Sequence, residues 1–426
     1  MKVMRTMCGL FVGLGIPLSG PALAGMSLEE SFQAALKRSE LVAEQHELIV
    51  QAEEHVRQAR RALLPTVSGT ASYFRQESSG VSTSGSNIAP SSQPLVKITG
   101  SQPLFRGFRD FAALKEVKRL AEAQIQAKKQ AAIQLYEDVT QAFYSRLTLE
   151  QDLRNLSDEI GLYQARAKEL QARVRIGRSR VSEVLTLNTS LETLKAQMEQ
   201  TKGQLKVAEV TFAFLTGLPG PASIDDRESV PSVVDPLETY LTHLHERPDV
   251  QADSIRFEAA KASVWTAKGA YLPSADFTGN YYIVRSGVSQ NADWDLTLSL
   301  TMPLFEGGIT HSKIREAVSQ QKQAEFVFSR TLRQAEEEVR SRYETLQSDL
   351  AQAKALERAA QVSEKTYEVE KQDYRLGLVT NLDVLQALTS FEENKRALNR
   401  TQFTTKLDLA RLESSVARRP KNLGET

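Results

Sequence analysis

Residues 103–107 read Pro-Leu-Phe-Arg-Gly, and residues 303–307 read Pro-Leu-Phe-Glu-Gly. In both places, residues without helical periodicity precede the proline and a very long helical pattern follows the glycine. Proline fixes φ and lacks an amide donor, and glycine can adopt positive φ. Each pentapeptide therefore predicts a sharp junction between a strand and a helix.

Other markers recur in the same order, which indicates an internal duplication. Ala62-Leu63-Leu64-Pro65 corresponds to Ala270-Tyr271-Leu272-Pro273 at an offset of 208 residues. Arg175-Ile176-Gly177 corresponds to Arg375-Leu376-Gly377 at an offset of 200, the same offset as the two Pro-Leu-Phe pentapeptides. Chance similarity between helices would not keep Pro and Gly in register.

The duplication predicts a first structural repeat at 25–216 and a second at 249–417. Between them, residues 217–248 contain five of the 14 prolines, which favours a linker or a small non-helical belt. Residues 418–426 would form a C-terminal tail.

The first 24 residues read as a secretory signal peptide. Lys2 and Arg5 precede an apolar segment, and Ala22-Leu23-Ala24 supplies the small-x-small pattern of a cleavage site. We therefore expect residues 1–24 to be removed during export.

Each repeat is predicted to contain a strand hairpin, at 66–103 in the first and at 274–303 in the second. A helix from Ser27 to about Leu64 would precede the first hairpin, whose central loop at 78–93 is rich in Ser and Gly. In the second hairpin, apolar and polar residues alternate with the period of a strand that has one apolar face. The apolar members are Trp294, Leu296, Leu298, Leu300 and Met302.

A pair of long helices should follow each hairpin, at 108–216 and at 309–417. Apolar residues there are spaced alternately by four and three, which is the heptad pattern of a coiled coil. A helix from Asp110 to Arg175 would be about 100 Å long, more than a compact domain accommodates. The first seam comprises Leu149, Leu153, Leu156, Ile160, Tyr163, Ala167, Leu170 and Val174.

Composition excludes several classes of function. The 426 residues include 53 basic and 53 acidic side chains without a basic block, which argues against a nucleic-acid partner. The single cysteine, Cys8, cannot form a disulfide within the chain. The five histidines form no zinc-protease motif, and His243 and His245 are a weak candidate for a metal pair. We expect no catalytic site, cofactor or metal.

Four strands cannot close a barrel, and an open sheet edge cannot face lipid because its backbone groups would be unsatisfied. If the strands span a membrane, several chains must share one barrel. Two chains would give an almost filled barrel, whereas three would leave a lumen. The sequence is most simply interpreted as a trimeric conduit.

The order of helix, Leu-Pro, strand hairpin, Pro-Leu-Phe-x-Gly, long helix, Arg-x-Gly and long helix, present twice, resembles the TolC-type outer-membrane efflux protein family. The resemblance implies a mainly α fold with a transmembrane β-barrel of twelve strands shared by a homotrimer, on a long periplasmic helical barrel. It also implies the outer membrane of a Gram-negative bacterium. The implied partners are outer-membrane lipid, a periplasmic adaptor and an inner-membrane pump of the RND, ABC or MFS type.

The resemblance also implies roles for two groups of residues. The turns at Arg175, Ile176 and Gly177 and at Arg375, Leu376 and Gly377 match the family's periplasmic tips, where the adaptor docks. The family's constricted entrance corresponds to Glu183, Asp383 and Gln386. A ring of three Asp383 carboxylates would favour cations and raise the pKa of its members. Gln386 replaces the family's second aspartate, which weakens such a ring.

The predicted function is a passive exit duct for small toxic compounds, driven by an inner-membrane pump. The alternative is the outer-membrane component of a type I polypeptide secretion system. A coiled-coil scaffold of the cell envelope is a more distant alternative, because it leaves the strand hairpins without a role.

Overall fold

The computed structural model describes residues 25–77, 92–218, 223–230, 233–286 and 291–420. The predicted signal peptide, most of the loop at 78–93 and the end of the C-terminal tail lie outside these residues. The helices are α1 Leu28–Arg38, α2 Glu40–Arg61, α3 Arg109–Arg175, α4 Val181–Thr216, α5 Leu237–Leu241, α6 Pro248–Lys268, α7 Ile309–Leu376 and α8 Asn381–Ser415. The strands are β1 Thr66–Arg75, β2 Ser92–Arg106, β3 Ser274–Val284 and β4 Trp294–Thr301.

The prediction of a mainly helical chain with four strands is confirmed, but the single helix expected from Ser27 to Leu64 is wrong. Ser39 has an extended backbone, with ψ of 113°, and separates α1 from α2. Its amide donates to the Ala35 carbonyl at 2.8 Å, while its hydroxyl accepts from the Val42 amide at 3.4 Å. Ser39 therefore ends one helix and caps the next.

The long helices form as the heptad pattern predicts. Helix α3 has 67 residues and α7 has 68. The first seam is buried around Leu156, Tyr163 and Leu170, and it packs against the seam of α4 around Leu187 and Leu191. Since each helix buries only a narrow apolar stripe, helix pairs extend far beyond the size of a compact core.

The four strands form one antiparallel sheet in the order β1, β2, β3, β4. Strand β3 pairs with β4 so that Phe277 lies opposite Leu298, and Tyr281 lies opposite Trp294. Paired residues in an antiparallel ladder point to the same face. One face of the sheet is therefore apolar, and all of β4 is exposed in the single chain except for a half-buried Asp295.

The opposite face of the sheet is polar. The Asn280 side chain accepts from Lys97 at 3.1 Å and from Thr99 at 2.8 Å, and it donates to Asp295 at 2.8 Å. Asp295 also accepts from the Tyr282 hydroxyl at 2.8 Å. The sheet thus presents an apolar face on one side and a charged, hydrogen-bonded face on the other.

Two backbones approach closely where the strands join the helices. Gly107 has φ of 61°, and a Cβ there would lie 2.3 Å from the Gly269 carbonyl oxygen and 2.8 Å from Leu272 Cβ. A side chain at Gly269 would in turn lie 2.4 Å from the Gly107 carbonyl oxygen. These two glycines let the start of α3 pack directly on the end of α6.

Two further apolar clusters hold the helices together around the middle of the chain. In the first, Phe32 of α1 packs edge-on against Tyr136 of α3, with ring centroids 5.3 Å apart. In the second, Tyr240, Val250, Val339 and Leu412 join α5, α6, α7 and α8. The segment between the predicted repeats therefore contributes to a core through α5.

Within the ranges described, no helix combines the length and the apolar character needed to cross a membrane.

Gly107→Ala should destabilise the chain by about 2 kcal/mol or more, because alanine is strained at positive φ and its Cβ would overlap the Gly269 carbonyl. Gly161→Ala is the matched control, since Gly161 lies in α3 with open space around it. This variant should raise the free energy of unfolding by about 1 kcal/mol. Thermal unfolding of both purified variants measures the difference. Equal stability of the Gly107→Ala and Gly161→Ala variants would contradict the close approach of the Gly107 and Gly269 backbones.

Candidate functional site at the helical tips

The turn between α3 and α4 is closed by backbone hydrogen bonds. The Gly177 amide donates to the Val174 carbonyl at 3.0 Å, and the Arg178 amide donates to the Arg173 carbonyl at 2.9 Å. Gly177 has φ of 70°, and nothing lies within 4 Å of the position of a Cβ there. Backbone conformation, rather than lack of space, therefore favours glycine.

The turn between α7 and α8 has the same geometry. The Gly377 amide donates to the Tyr374 carbonyl at 3.1 Å, the Leu378 amide donates to the Asp373 carbonyl at 3.0 Å, and Gly377 has φ of 79°. Thr380 then caps α8. The two tips therefore present exposed side chains on hydrogen-bonded turns, including Ile176, Leu376 and Leu378.

Asp383 forms a capping box with Thr380. Its carboxylate accepts from the Thr380 hydroxyl at 2.7 Å and from the Thr380 amide at 2.8 Å. These hydrogen bonds stabilise the charged form and lower the pKa of the exposed Asp383 carboxyl. Within one chain, Asp383 is therefore held ionised at the first turn of α8.

The predicted entrance residues are only partly brought together. Asp383 and Gln386 line one groove of about 510 Å³ between α7 and α8, which Glu370 and Asn394 also line. Glu183 lies in the first turn of α4, on the other helix pair, and does not line this groove.

Arg166, which no sequence motif singled out, joins the two helix pairs near their tips. The Arg166 guanidinium lies over the Tyr374 ring, 3.9 Å from its centroid, and its Nε donates to Asn381 Oδ1 at 2.9 Å. The Tyr374 hydroxyl lies 3.3 Å from the Ser179 hydroxyl in the other turn. Tyr374 thus contacts both α3 and the α3–α4 turn from the end of α7.

Arg166 is the last member of a row of polar residues along α3 that contact α8. We call this row the α3–α8 ladder; it consists of Asp152, Glu159, Tyr163 and Arg166. Asp152 pairs with Arg400, Glu159 with Arg396, and Tyr163 with Thr389. Since Asp152, Glu159 and Arg166 are seven residues apart, they lie on one face of the helix.

A buried carboxyl lies beside this ladder. Glu392 of α8 is 1 % exposed, and its Oε2 atom has no hydrogen-bond partner in the part of the chain that the structure describes. Lys395 lies 3.9 Å from that oxygen. Burial raises the pKa of Glu392, and the neighbouring Glu159 carboxylate adds to the effect. Burial also raises the pKa of Glu159.

No group of three or more His, Cys, Asp or Glu side chains suited to a metal ion occurs among the described residues. His243 lies 3.0 Å from the Glu246 carboxylate in a short 3-10 turn, where it has an ordinary surface partner.

Comparison with known proteins shows to which family the chain is related. A profile of the outer membrane efflux protein family matches residues 32–218 and 240–418, which is most of the chain. The cation efflux system protein CusC of Escherichia coli strain K12 is 23 % identical over 297 residues, covering 66 % of this chain and 65 % of CusC. The outer membrane efflux protein BepC of Brucella suis is 22 % identical over 404 residues, covering 89 % of this chain and 84 % of BepC.

Solved structures show the same fold. A crystal structure of CusC superposes with a TM-score of 0.81 at 18 % identity, covering 91 % of both chains. The outer membrane protein VceC of Vibrio cholerae gives a TM-score of 0.78 at 20 % identity, covering 91 % of this chain and 95 % of VceC. The chain belongs to the outer membrane efflux protein family, a family of channels, so the resemblance predicted from sequence is confirmed. The chain spans slightly less than two thirds of the length of CusC in the sequence match.

Arg166→Met should lower the free energy of local unfolding at the tips by about 2 kcal/mol, because it removes a buried cation–π contact and a charged hydrogen bond. Arg154→Met is the matched control, since Arg154 lies on the exposed face of the same helix. Hydrogen exchange of residues 374–389 should accelerate in the first variant and stay unchanged in the second. Equal exchange in both would show that Arg166 does not join the helix pairs.

Glu392→Gln should stabilise the protein at about pH 8 and have little effect at about pH 4. The folded protein raises the pKa of Glu392, so the native state binds the proton more tightly and loses stability as pH rises through that pKa. Thermal unfolding across this range measures the change. Glu364→Gln, at an exposed position on α7, is the matched control. The same pH dependence in both variants would contradict the role of burial.

Proposed function

We propose that three copies of this chain form an outer-membrane channel that serves as a passive exit duct for small toxic compounds. An inner-membrane pump supplies the energy through a periplasmic adaptor, and the channel itself performs no chemistry. The observation that carries the proposal is an open sheet with one apolar and one polar face, attached to helices of 67 and 68 residues.

The sheet supports assembly from several chains. Strands β1 and β4 lie at its two ends, so each keeps one edge that no strand of the described residues pairs with. Its apolar face suits lipid, where free backbone groups are not tolerated, and its polar face suits a water-filled lumen. Three copies would pair β4 of one with β1 of the next and close twelve strands into an open barrel.

The helices also support assembly. Helix α4 exposes a row of large apolar side chains near its end, Val207, Val210 and Phe214, each about 70 % exposed. Exposed apolar patches of this kind mark protein–protein contacts. A neighbouring copy in the helical barrel would cover this surface.

Asp383 is proposed to line the entrance together with Gln386 and Glu183. In a trimer, three Asp383 carboxylates would face one another, and their repulsion would oppose the capping hydrogen bonds that lower the pKa in one chain. Gln386 adds a neutral hydrogen-bonding group to the same groove. Such an entrance favours cationic cargo over anionic cargo.

The adaptor is proposed to dock on the tips at Arg175, Ile176 and Gly177 and at Arg375, Leu376 and Gly377. Ile176 is 65 % exposed and Leu376 is 74 % exposed, so both tips offer a large apolar side chain to a partner. Apolar anchors flanked by arginines are typical of the centre of a protein interface. The α3–α8 ladder, including the Arg166 contacts, would hold the two tips in register.

The range of cargo among relatives supports small compounds. CusC is named a cation efflux protein, and OpmQ of Pseudomonas putida is named a pyoverdine export protein. A type I polypeptide secretion duct remains the alternative, since the lining of a wide lumen does not indicate which cargo passes through it.

The test is accumulation of a fluorescent cationic efflux dye in cells that lack this chain, in cells complemented with it, and in cells that carry a tip variant. We expect the deletion to raise accumulation and the complemented strain to reverse it. A variant with Leu376→Asp and Ile176→Asp should behave like the deletion, whereas Val233→Asp, exposed and away from the tips, should complement. Unchanged accumulation in the deletion would contradict drug efflux and favour polypeptide secretion.

A further inference from the structure

We propose that the groove between α3 and α6, at the junction of sheet and helices, binds an anionic phospholipid of the periplasmic leaflet. This inference rests on the proposed function, because it requires the sheet to lie in a membrane. The groove has a volume of about 670 Å³. Its apolar lining includes Phe108, Phe111 and Trp265, and its charged lining consists of Lys115, Lys261, Lys268 and Glu258.

The groove opens on the same side as the apolar face of the sheet. Phe108 packs edge-on against Phe105, with ring centroids 5.1 Å apart. The β2–β3 register shifts between Pro103 and Phe105, after which Phe105 pairs with Ala275, and Ala275 pairs with Leu300 in the β3–β4 ladder. Since paired residues share a face, Phe105 lies on the face of Leu300 and Trp294. Phe108 therefore continues the apolar face onto the start of α3.

The groove also lies away from the parts of the chain that would contact other copies. Strands β2 and β3 are the central strands of the sheet. Helix α3 follows β2, and helix α6 leads into β3. Among the helices that begin or end at the sheet, α3 packs against α2 and α6, and α6 packs against α3 and α7. A neighbouring subunit joined at β1 or β4 would leave the groove open to the membrane.

The charges of the groove favour an anion. Lys261 is paired with Glu258 at 2.6 Å, and its ammonium lies over the Phe257 ring, 4.1 Å from the centroid. Lys268 lies 5.2 Å from the centroid of the Trp265 indole, and Lys115 has no ion-pair partner among the described residues. Within the part of the chain that the structure describes, Lys115 and Lys268 thus have no acidic partner, and they lie beside three exposed aromatic rings.

This combination matches the chemistry of a phospholipid at the membrane surface. Tryptophan and lysine are enriched at membrane interfaces, where the ring lies at headgroup level and the ammonium reaches the phosphate. Strand β4 has eight residues, about 26 Å along the strand, and at a tilt of about 40° it covers about 20 Å of the apolar band of an outer-membrane barrel. Trp294 and Trp265 would therefore lie near opposite surfaces of one bilayer.

The groove is preformed rather than made by the lipid. The close approach of Gly107 and Gly269 fixes the start of α3 against the end of α6. The positive φ of Phe108, 59°, turns its ring outward from the junction to an exposure of 64 %. A rigid site loses less entropy on binding than a mobile one.

The two tryptophans allow a direct test, because Trp265 and Trp294 are the only ones in the chain. Trp294→Phe leaves Trp265 as the reporter of the groove, and Trp265→Phe leaves Trp294 as the reporter of the sheet. Each full-length variant is reconstituted into phosphatidylcholine vesicles that contain brominated phosphatidylglycerol or, in parallel, brominated phosphatidylcholine. Bromine quenches tryptophan fluorescence only on contact.

We expect brominated phosphatidylglycerol to quench Trp265 at roughly tenfold lower mole fraction than brominated phosphatidylcholine. Adding Lys115→Gln and Lys268→Gln should abolish this preference. Adding Lys168→Gln and Lys206→Gln, which remove the same charge from exposed sites on α3 and α4, should preserve it. Trp294 should be quenched equally by both lipids.

The two proposals fail in different ways. Quenching of Trp294 with no lipid preference at Trp265 would overturn the phospholipid site and leave the membrane channel intact. A preference that survives Lys115→Gln and Lys268→Gln would also overturn the site. No quenching of Trp294 by either lipid would show that the sheet does not face lipid, and both proposals would then fail.

Discussion

Backbone hydrogen bonding at the two ends of the sheet is the constraint on which the proposed architecture depends. Four strands in the order β1, β2, β3, β4 leave an open edge at each end. In lipid, such an edge leaves amide and carbonyl groups unsatisfied at several kcal/mol each. An apolar face on this sheet is compatible with the membrane only if other copies close the edges, so the proposed channel would form only when several chains assemble.

The long helices are held to one another by narrow seams of side chains rather than by backbone pairing. The apolar seam of α3 packs on α4, while its polar ladder contacts α8 through Asp152, Glu159, Tyr163 and Arg166. Buried ionic contacts stabilise less than apolar packing of the same size, but they fix which residues can face one another. The pairing of Arg166 with Tyr374 and Asn381 therefore sets the register of the two tips, where the entrance and the docking surface are proposed to lie.

Much of the fold could be predicted because its signals are periodic. The alternation from Trp294 to Met302 predicted β4, and the heptads predicted the long helices. The break at Ser39 could not be predicted, because a serine in a helical pattern gives no sign that its hydroxyl caps the following turn. The contacts of Arg166, Tyr374 and Glu392 were not predicted, because they join residues about 200 positions apart. A charged residue beside the apolar seam, as at Arg166 next to Ala167, was the one available signal.

The most direct test of the central claim is disulfide cross-linking between the free edges of the sheet. Ser68→Cys on β1 is combined in turn with a cysteine replacing Asp295, Thr297 or Ser299 on β4, in a chain that also carries Cys8→Ser. These positions lie on opposite edges of one sheet, so a bond can form only between copies. The account predicts that at least one register gives covalent trimers on a denaturing gel, absent from the single-cysteine chains. Cross-linked dimers alone, or no cross-link in any register, would contradict a barrel shared by three chains.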